Sequence, residues 1–155
     1  MSISTKSTYG IRAMFELALC YGNSPISVAY ISKRESISIP YLEQLLNKLR
    51  RKGLVKSMRG PSGGYVLAKN PARITVGEIV RALDGEITPV HCAGNAKFGK
   101  ASCKRIDKCV TKAVWKKLKD TVDNTLNSVT LENLCEDAKK LGADRPVNHK
   151  YVFNI

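Results

Sequence analysis

The sequence predicts a mostly α fold with a small β-wing, namely a winged helix-turn-helix DNA-binding domain followed by a long dimerisation helix. Three stretches of the 155-residue chain support this prediction. Residues 38–53 show apolar side chains at helical spacing, residues 54–68 read as a glycine-centred hairpin, and residues 109–129 carry a longer apolar seam. In this arrangement the helix enters a major groove and the hairpin reaches a neighbouring groove or the backbone.

The first two helices are predicted from their apolar spacing and their capping residues. The first runs roughly from Ser7 to Tyr21, and Ser27 can cap a second, short helix from Val28 to about Arg34. A short turn then leads into the third helix. The second and third helices with this turn form the helix-turn-helix, and the first helix packs behind them.

The third helix carries an apolar stripe and a polar face on opposite sides. The stripe consists of Leu42, Leu45, Leu46 and Leu49. The opposite face consists of Tyr41, Gln44, Lys48 and Arg51. Ser38 and Pro40 suit the start of a helix, and Gly53 suits the residue just past its end. Taken alone this is an ordinary amphipathic helix with a solvated face, but the hairpin that follows it favours DNA binding.

The hairpin is predicted from two strand-like runs around a turn. Residues Leu54–Met58 and Tyr65–Ala68 are the strands, and residues 59–64 (RGPSGG) form the turn between them. Glycine permits backbone conformations closed to other residues and lets a loop approach a surface closely. Arg59 and Gly60 open this turn, so a guanidinium is expected at the tip of the wing.

The charge of the chain agrees with a nucleic-acid partner. The formal net charge is +13, and residues 1–70 hold 11 Lys and Arg against 3 Asp and Glu. The more basic part therefore contains the wing, as phosphate contacts require. A membrane-surface protein is the competing explanation, but the sequence has no long basic amphipathic helix, bilayer-length apolar run or signal-peptide pattern. We expect a soluble, cytoplasmic protein without a membrane partner.

The second half of the chain is divided by its helical patterns. Residues 75–78 form a capping box that starts a fourth helix, and Gly85 ends it. From Cys109 a long helix carries apolar residues three or four positions apart, which provides a seam for a partner helix. The seam consists of Trp115, Leu118, Val122, Leu126 and Val129. Thr130 can cap a last short helix, which Gly142 stops.

These patterns predict four segments along the chain. They are the winged helix-turn-helix domain (1–86), a cysteine-containing loop (87–108), the dimerisation helix with the short last helix (109–141) and a tail (142–155). Of the five cysteines, Cys92, Cys103 and Cys109 lie in or at the end of the loop. Cys20 and Cys135 fall in or beside apolar stripes of helices, so we interpret them as packing residues.

The loop cysteines predict a metal or redox site. Clustered exposed thiols are a liability that cytosolic proteins rarely keep without a use. The paired Cys-x2-Cys spacing typical of structural zinc is absent, whereas iron–sulfur clusters accept thiolates from irregular loops. On spacing alone we rank an iron–sulfur cluster above zinc, and zinc above unligated thiols.

These features together resemble the Rrf2 family of bacterial transcription regulators over about residues 1–140. The resembling residues are Tyr9, Ala13 and Met14 in the first helix, Tyr41 to Leu45 in the third, Arg59 to Pro61 and Gly63 to Tyr65 in the wing, the three loop cysteines, and Trp115. The resemblance implies a homodimeric repressor that binds a pseudo-palindromic operator in double-stranded DNA.

The resemblance also implies roles for individual residues. Tyr41 and Gln44 would read bases, and Glu43 would tune which sites are accepted. The further implied contacts with the duplex are Ser38, Arg59 and Gly60. The three loop cysteines would hold a [2Fe-2S] cluster whose presence alters operator choice. Their spacing, C-x10-C-x5-C, is longer in its first gap than that of a cluster-holding member of the family.

The fourth ligand of such a cluster stays open. A histidine that the cluster-holding member carries three residues after the last cysteine is here Lys112, whose protonated amine is a poor ligand. His91 and Asp107 are candidates inside the loop. The alternative function is a cluster-free or nitric-oxide- or redox-sensing member of the family, acting through thiols or a partner protein. An enzyme is not expected, because the chain has only two histidines, no glycine-rich cofactor fingerprint and no catalytic Ser/His/Asp set.

Overall fold

Helices make up most of the computed structural model, which describes residues 3–93, 103 and 106–143. The helices are α1 (Thr5–Leu19), α2 (Val28–Glu35), α3 (Ile39–Arg51), α4 (Val76–Asp84), α5 (Lys112–Ser128) and α6 (Leu131–Lys140). Strands β1 (Val55–Met58) and β2 (Gly64–Leu67) pair antiparallel, with Val55 opposite Leu67 and Met58 opposite Gly64. The prediction of a mostly α fold with a small β-wing is confirmed.

The helix-turn-helix forms where the sequence predicts it. Ser27 starts α2, and its hydroxyl accepts a hydrogen bond from the Tyr30 amide at 3.2 Å. The turn into α3 begins at Ser36, which adopts a left-handed conformation with a φ of 54°. Gly53, with a φ of 72°, lies just past the end of α3, where a left-handed residue is commonly glycine.

One hydrophobic core lies beneath α3 and the wing. The four leucines of the α3 stripe are each at most 1% exposed, and α3 packs on α1, α2, α4 and β1. α1 also lies directly against α4. A Cβ atom at Gly10 would come within 2.1 Å of Leu83 Cδ1, so the glycine allows this close approach. The core therefore fixes the rotation of α3 about its own axis, which decides which side chains face outward.

α5 is attached to this winged region at its C-terminal end. Residues 74–76 pair with residues 129–131 through two backbone hydrogen bonds of 2.9 Å. Arg81 of α4 adds a hydrogen bond of 2.7 Å from Nη2 to Asn127 Oδ1. Leu131, the first residue of α6, is fully buried in the core. These contacts join the end of α5 to the domain that carries α3.

Some boundaries differ from the prediction. α5 begins at Lys112 rather than Cys109, because residues 109–111 form a turn in which the Lys112 amide donates to the Cys109 carbonyl. The loop between α4 and α5 contains 3-10 turns at His91–Ala93 and Ile106–Lys108. Most of the predicted tail lies outside the described residues. Within the described residues, no helix is long and apolar enough to cross a membrane.

Candidate nucleic-acid interface and cysteine loop

The polar face of α3 points away from the core. Glu43, Gln44, Lys48 and Arg51 are exposed, and Tyr41 is half-buried near the start of the helix. Because the leucines hold the opposite side of α3 in the core, these side chains share the outward surface. The structure therefore brings together the α3 residues that the sequence selected as DNA contacts.

Ser38 lies at the start of α3 without capping it. The hydroxyls of Ser4, Ser27, Thr75 and Thr130 each accept a hydrogen bond from an amide in the first turn of their own helices. Ser38 makes no such hydrogen bond through its side chain, and it is exposed. Its hydroxyl can therefore donate to a phosphate oxygen without uncapping the helix.

The wing is fastened at its base and exposed at its tip. Ile26, just before α2, exchanges two backbone hydrogen bonds of 3.0 and 2.8 Å with Tyr65 of β2. A Cβ atom at Gly64 would lie 2.2 Å from the Ile26 carbonyl oxygen, so glycine is needed for this contact. Arg59 and Gly60 are exposed at the tip, and Gly60 has a φ of 117°. The tip is thus held at a defined position beside the helix-turn-helix.

The basic side chains of α3 and the wing have no carboxylate partner among the residues that the structure describes. Across the described residues, the cations that form ion pairs are Arg12, Arg34, Lys69, Lys119 and Lys140, and none of these lies in α3 or the wing strands. The unpaired cations of α3 and the wing are Lys48, Arg50, Arg51, Lys56 and Arg59. A surface whose positive charge is not neutralised internally is suited to displace counterions from phosphate.

Two residues of α1 that are not among the predicted DNA contacts reach this surface. The ring of Tyr9 meets the ring of Tyr41 edge to face, with centroids 6.1 Å apart and planes at 83°. The Cζ atom of Arg12 lies 5.4 Å from the centroid of the Tyr9 ring. Arg12 also donates from Nε to Glu35 Oε2 at 2.5 Å and from Nη2 to the Glu35 carbonyl oxygen at 2.8 Å. The sequence signal is only that Tyr9 and Arg12 share one face of α1.

A buried charge pair joins α1 to α2. The Glu16 side chain is 1% exposed and accepts hydrogen bonds from Nε and Nη2 of Arg34 at 3.2–3.3 Å. Burial raises the pKa of Glu16, and the hydrogen bond from Arg34 works in the opposite direction. The same hydrogen bond raises the pKa of Arg34. Removing either partner would leave the other uncompensated, so the pair orients α2 against α1.

The three loop cysteines are thiols close to the surface. Cys92, Cys103 and Cys109 form no disulfide, and each is half-buried. Hydrogen bonding to Thr111, whose Oγ1 lies 3.2 Å from Cys109 Sγ, lowers the pKa of the Cys109 thiol. The lower pKa favours the thiolate, which is the metal-binding form. In kind, these donors fit an iron–sulfur cluster. Within the described ranges, however, no three His, Cys, Asp or Glu side chains come together as a metal site.

The other two cysteines belong to the hydrophobic core, as predicted. Cys20 is buried, and Cys135 packs against the core from α6. Burial raises the pKa of both thiols above the ordinary value. A protonated thiol in apolar surroundings behaves as a small hydrophobic side chain, so neither residue is a candidate ligand.

The apolar seam of α5 is only partly covered in the single chain, because Leu118 is exposed and the other four residues of the seam are half-buried. Val114 is 61% and Leu118 is 38% exposed, and Trp115 is half-buried although it is the only tryptophan. α5 is also basic, with Lys112, Lys116 and Lys117 exposed on its surface. A long helix that leaves aliphatic and aromatic side chains in water is typical of a surface that pairs with another helix.

Comparison with known proteins places this arrangement in a defined group. Residues 3–137 match the model of the Rrf2 family, which is described as an iron-dependent transcriptional regulator. The HTH-type transcriptional regulator IscR of Cronobacter sakazakii is 40% identical over 152 residues, which are 97% of this chain and 91% of that protein. IscR of Pectobacterium atrosepticum is 40% identical over 155 residues, covering 100% of this chain and 84% of that protein.

Solved structures are similar as well. The IscR structure from T. potens has 40% sequence identity and a TM-score of 0.73, covering 91% of this chain and 90% of that one. The structure of CymR, the global cysteine regulator of B. subtilis, has 39% identity and a TM-score of 0.72, covering 88% of this chain and 98% of that one. The similarity therefore extends over the winged region and α5 together.

Proposed function

The chain belongs to the Rrf2 family of transcription regulators, and we propose that it is a homodimeric repressor whose operator binding is modulated by an iron–sulfur cluster. As a member of this family it is a DNA-binding regulator and not an enzyme. The observation that supports the proposal most directly is the outward face of α3 beside the wing tip, where the cations lack carboxylate partners in the described structure.

The residues of this surface have separate tasks in the proposed complex. α3 enters the major groove, where Tyr41 and Gln44 read base edges and Glu43 restricts the accepted sites. Three further residues, Ser38 at the helix start and Arg59 and Gly60 at the wing tip, contact the sugar-phosphate backbone. Lys48 and Arg51 add phosphate contacts along α3. These contacts supply affinity and orientation, and the base contacts supply sequence preference.

A second copy of the chain is the proposed partner of α5. The seam around Trp115 and Leu118 would pair with the same seam of the other subunit around a two-fold axis. Such a dimer presents two copies of α3 to one face of the duplex. Its operator is then a pseudo-palindrome whose half-sites are separated by whole helical turns of DNA.

Cys92, Cys103 and Cys109 are the proposed ligands of a [2Fe-2S] cluster. The support is the family description, the three half-buried thiols and the lowered pKa of the Cys109 thiol. His91 and Asp107 remain the candidates for a fourth ligand. When bound, such a cluster supplies an iron-thiolate centre whose presence can favour one arrangement of the loop over another.

α5 provides a physical route from the loop to the DNA-binding surface. It begins three residues after Cys109, and the residues that follow its C-terminus are hydrogen-bonded to residues 74–76 beside α4. A helix of this length spans about 25 Å. A change in the loop therefore acts on the start of α5, whose other end is fixed to the winged region. In the proposed dimer the seam of α5 also sets the spacing between the two copies of α3.

The test combines absorption spectra with duplex binding. Wild-type protein purified without oxygen is expected to be coloured and to contain iron, and Cys92→Ala, Cys103→Ala and Cys109→Ala are each expected to lose both while remaining folded dimers. Cys20→Ala is the matched control, because it changes a packing cysteine and should keep the colour. Binding to genomic fragments should weaken steeply with salt concentration. The cysteine variants should prefer a different set of fragments from the wild type.

Two outcomes would contradict the proposal. If the three variants lose the iron but bind the same fragments with the same affinity as the wild type, the cluster does not modulate binding. If no duplex is bound at low salt, the DNA-binding surface is wrongly assigned.

A cluster-free regulator is the second candidate, because the B. subtilis CymR structure, described as a global cysteine regulator, matches this chain about as well as the T. potens IscR structure does. In that case the wild-type protein would be colourless and free of iron and zinc. It would nevertheless bind DNA with the same steep salt dependence, since α3 and the wing are unchanged.

A further inference from the structure

We propose that Tyr9 and Arg12 of α1 are positioning residues for Tyr41, so that the first helix helps to set operator specificity although its own side chains are not the base readers. The inference rests on the proposed role of Tyr41 in reading a base. It assigns to α1 a function beyond packing behind the helix-turn-helix.

The first step is the contact between the two rings. Tyr41 lies in the first turn of α3 and is only half-buried, so the leucine stripe alone does not hold its ring in place. The edge-to-face contact with Tyr9, at 6.1 Å between centroids and 83° between planes, is a preferred geometry for two aromatic rings. It restricts the side-chain torsions of Tyr41. A base-reading side chain held in this way loses less freedom on binding.

The second step is the attachment of Tyr9 itself. Arg12 lies one turn further along α1, with its Cζ atom 5.4 Å from the Tyr9 ring centroid, within the range of a cation–π contact. Its guanidinium is held in turn by Glu35, through Oε2 at 2.5 Å and the backbone carbonyl at 2.8 Å. Glu35 is the last residue of α2, so Arg12 also satisfies a carbonyl at the end of that helix.

These contacts lie on both sides of the turn between α2 and α3. Glu35 directly precedes Ser36, the residue in the left-handed conformation that starts the turn, and Tyr41 follows the turn in α3. The sequence of contacts from Glu35 through Arg12 and Tyr9 to Tyr41 therefore bridges the helix-turn-helix turn from the side of α1. It couples the end of α2 to the start of the recognition helix.

The pairing of Arg12 also distinguishes this role from a phosphate contact. Both of its hydrogen-bonded nitrogens are engaged by Glu35, and the pair is neutral as a whole. Loss of a phosphate-binding cation would reduce the number of counterions released on binding by about one, and so make the binding constant less sensitive to salt concentration. Loss of a positioning residue would leave the salt dependence unchanged and reduce base discrimination instead.

The test selects DNA from a pool of randomised duplexes with each protein and determines the base preference at every position by sequencing. Tyr9→Leu should reduce the preference at the base position that Tyr41→Leu also affects, by about tenfold. Tyr9→Phe keeps the ring and should restore the wild-type preference. Arg12→Met should give a smaller loss at the same position. Tyr21→Leu is the matched control, because Tyr21 lies just past the other end of α1 and is 47% exposed.

Non-additivity is the decisive readout. In a Tyr41→Leu background, Tyr9→Leu should cause no further loss of discrimination, because the ring that it positions is absent. The salt dependence of binding should be the same for wild type, Tyr9→Leu and Arg12→Met. Far-ultraviolet circular dichroism and thermal unfolding confirm that each variant is folded.

Three outcomes would overturn the inference. One is a loss of affinity for Tyr9→Phe that is as large as that for Tyr9→Leu and equal for every sequence, which would make the Tyr9 hydroxyl a direct phosphate contact. Another is additive loss in the double variant. The third is unchanged preference in Tyr9→Leu while the wild type still selects defined sequences. A wild type that selects no sequence would overturn the proposed function as well, so the two failures are distinguishable.

Discussion

The winged region and the long helix α5 differ in where their apolar side chains go. α3 has thirteen residues and buries four leucines, whereas α5 has seventeen residues and buries none within the described structure. The winged region thus has the core that a small domain needs to fold by itself. α5 has an apolar seam without a core, so its stability depends on the element that covers the seam.

The helices of the winged region and α5 also differ in how they are capped at their N-termini. In the winged region α1, α2 and α4 each begin with a hydroxyl that accepts an amide hydrogen bond, whereas α3 does not; α4, and α6 beyond the long helix, have complete capping boxes. α5 begins after Thr111, which makes no capping hydrogen bond. Its defined attachment is at the opposite end, at residues 129–131 and Asn127. The end of α5 that adjoins the cysteine loop therefore begins without a side-chain cap.

The largest expected effect on stability comes from truncating a leucine of the core, and it differs in kind from the effect of truncating a leucine in the seam of α5. Leu46→Ala should lower the free energy of unfolding by about 2–5 kcal/mol at every protein concentration, because it leaves a cavity in the core of the winged region. Leu118→Ala, the matched change in α5, should act mainly through association. Its effect on the unfolding midpoint should therefore change with protein concentration. Urea denaturation at several protein concentrations measures both.

A different result would contradict this distinction, namely that Leu118→Ala lowers the free energy of unfolding as much as Leu46→Ala and does so independently of protein concentration. α5 would then be stabilised within its own chain rather than by a second copy.

An intermediate effect tests the attachment between the two regions. A Cβ atom at Gly77 of α4 would lie 2.2 Å from Asn127 Oδ1 and 3.0 Å from Arg81 Nη1. Gly77→Ala should therefore displace Asn127, break its hydrogen bond with Arg81 and destabilise the protein by about 1–3 kcal/mol. In an Asn127→Ala background, of these two neighbours only the flexible end of Arg81 remains close to this position, and it can move away. The same change should then stabilise α4 by up to about 1 kcal/mol through helix propensity.

Thermal or urea unfolding of the four proteins in this cycle gives the coupling directly. Equal effects of Gly77→Ala with and without Asn127 would mean that the two helices are not in contact at this point in solution.

The smallest effect concerns the end of α4 and depends on pH. Burial acts to raise the pKa of Asp84, but hydrogen bonds donated by Ser4 and Ser7 outweigh it, so the pKa is lowered from the ordinary 3.8. A lowered folded-state pKa stabilises the protein above the unfolded-state pKa, and this stability is lost as the pH falls through the folded-state pKa. Asp84→Asn should therefore cost about 1 kcal/mol or less at neutral pH, because Asp84 is exposed.

The difference between Asp84→Asn and wild type should disappear once the pH lies below the folded-state pKa, which is below 3.8. Unfolding measured along a pH series checks this, with Asp137→Asn as control, since Asp137 forms an exposed ion pair at the other end of the chain. A difference that persists unchanged in acid would show that Asp84 acts by packing rather than by charge.

The type and order of the helices and strands can be read from the sequence alone. The leucine spacing of α3, the glycine-rich turn after Arg59 and the hydroxyl caps at Ser27, Thr75 and Thr130 are local signals, and each was confirmed as a helix, hairpin or helix start. Local signals suffice here because helical periodicity, turn conformation and capping depend on residues within one or two turns of each other.

Which distant residues come into contact depends on how the elements pack and cannot be read from local sequence patterns. Three contacts join positions that are far apart in the chain: the ring contact of Tyr9 with Tyr41, the pairing of residues 74–76 with 129–131, and the close approach of Asn127 to Gly77. No local pattern encodes such contacts, since they depend on how separate elements pack around a common core. For the same reason the spacing of Cys92, Cys103 and Cys109 predicts a set of ligands but not their convergence, which depends on the path of the loop between them.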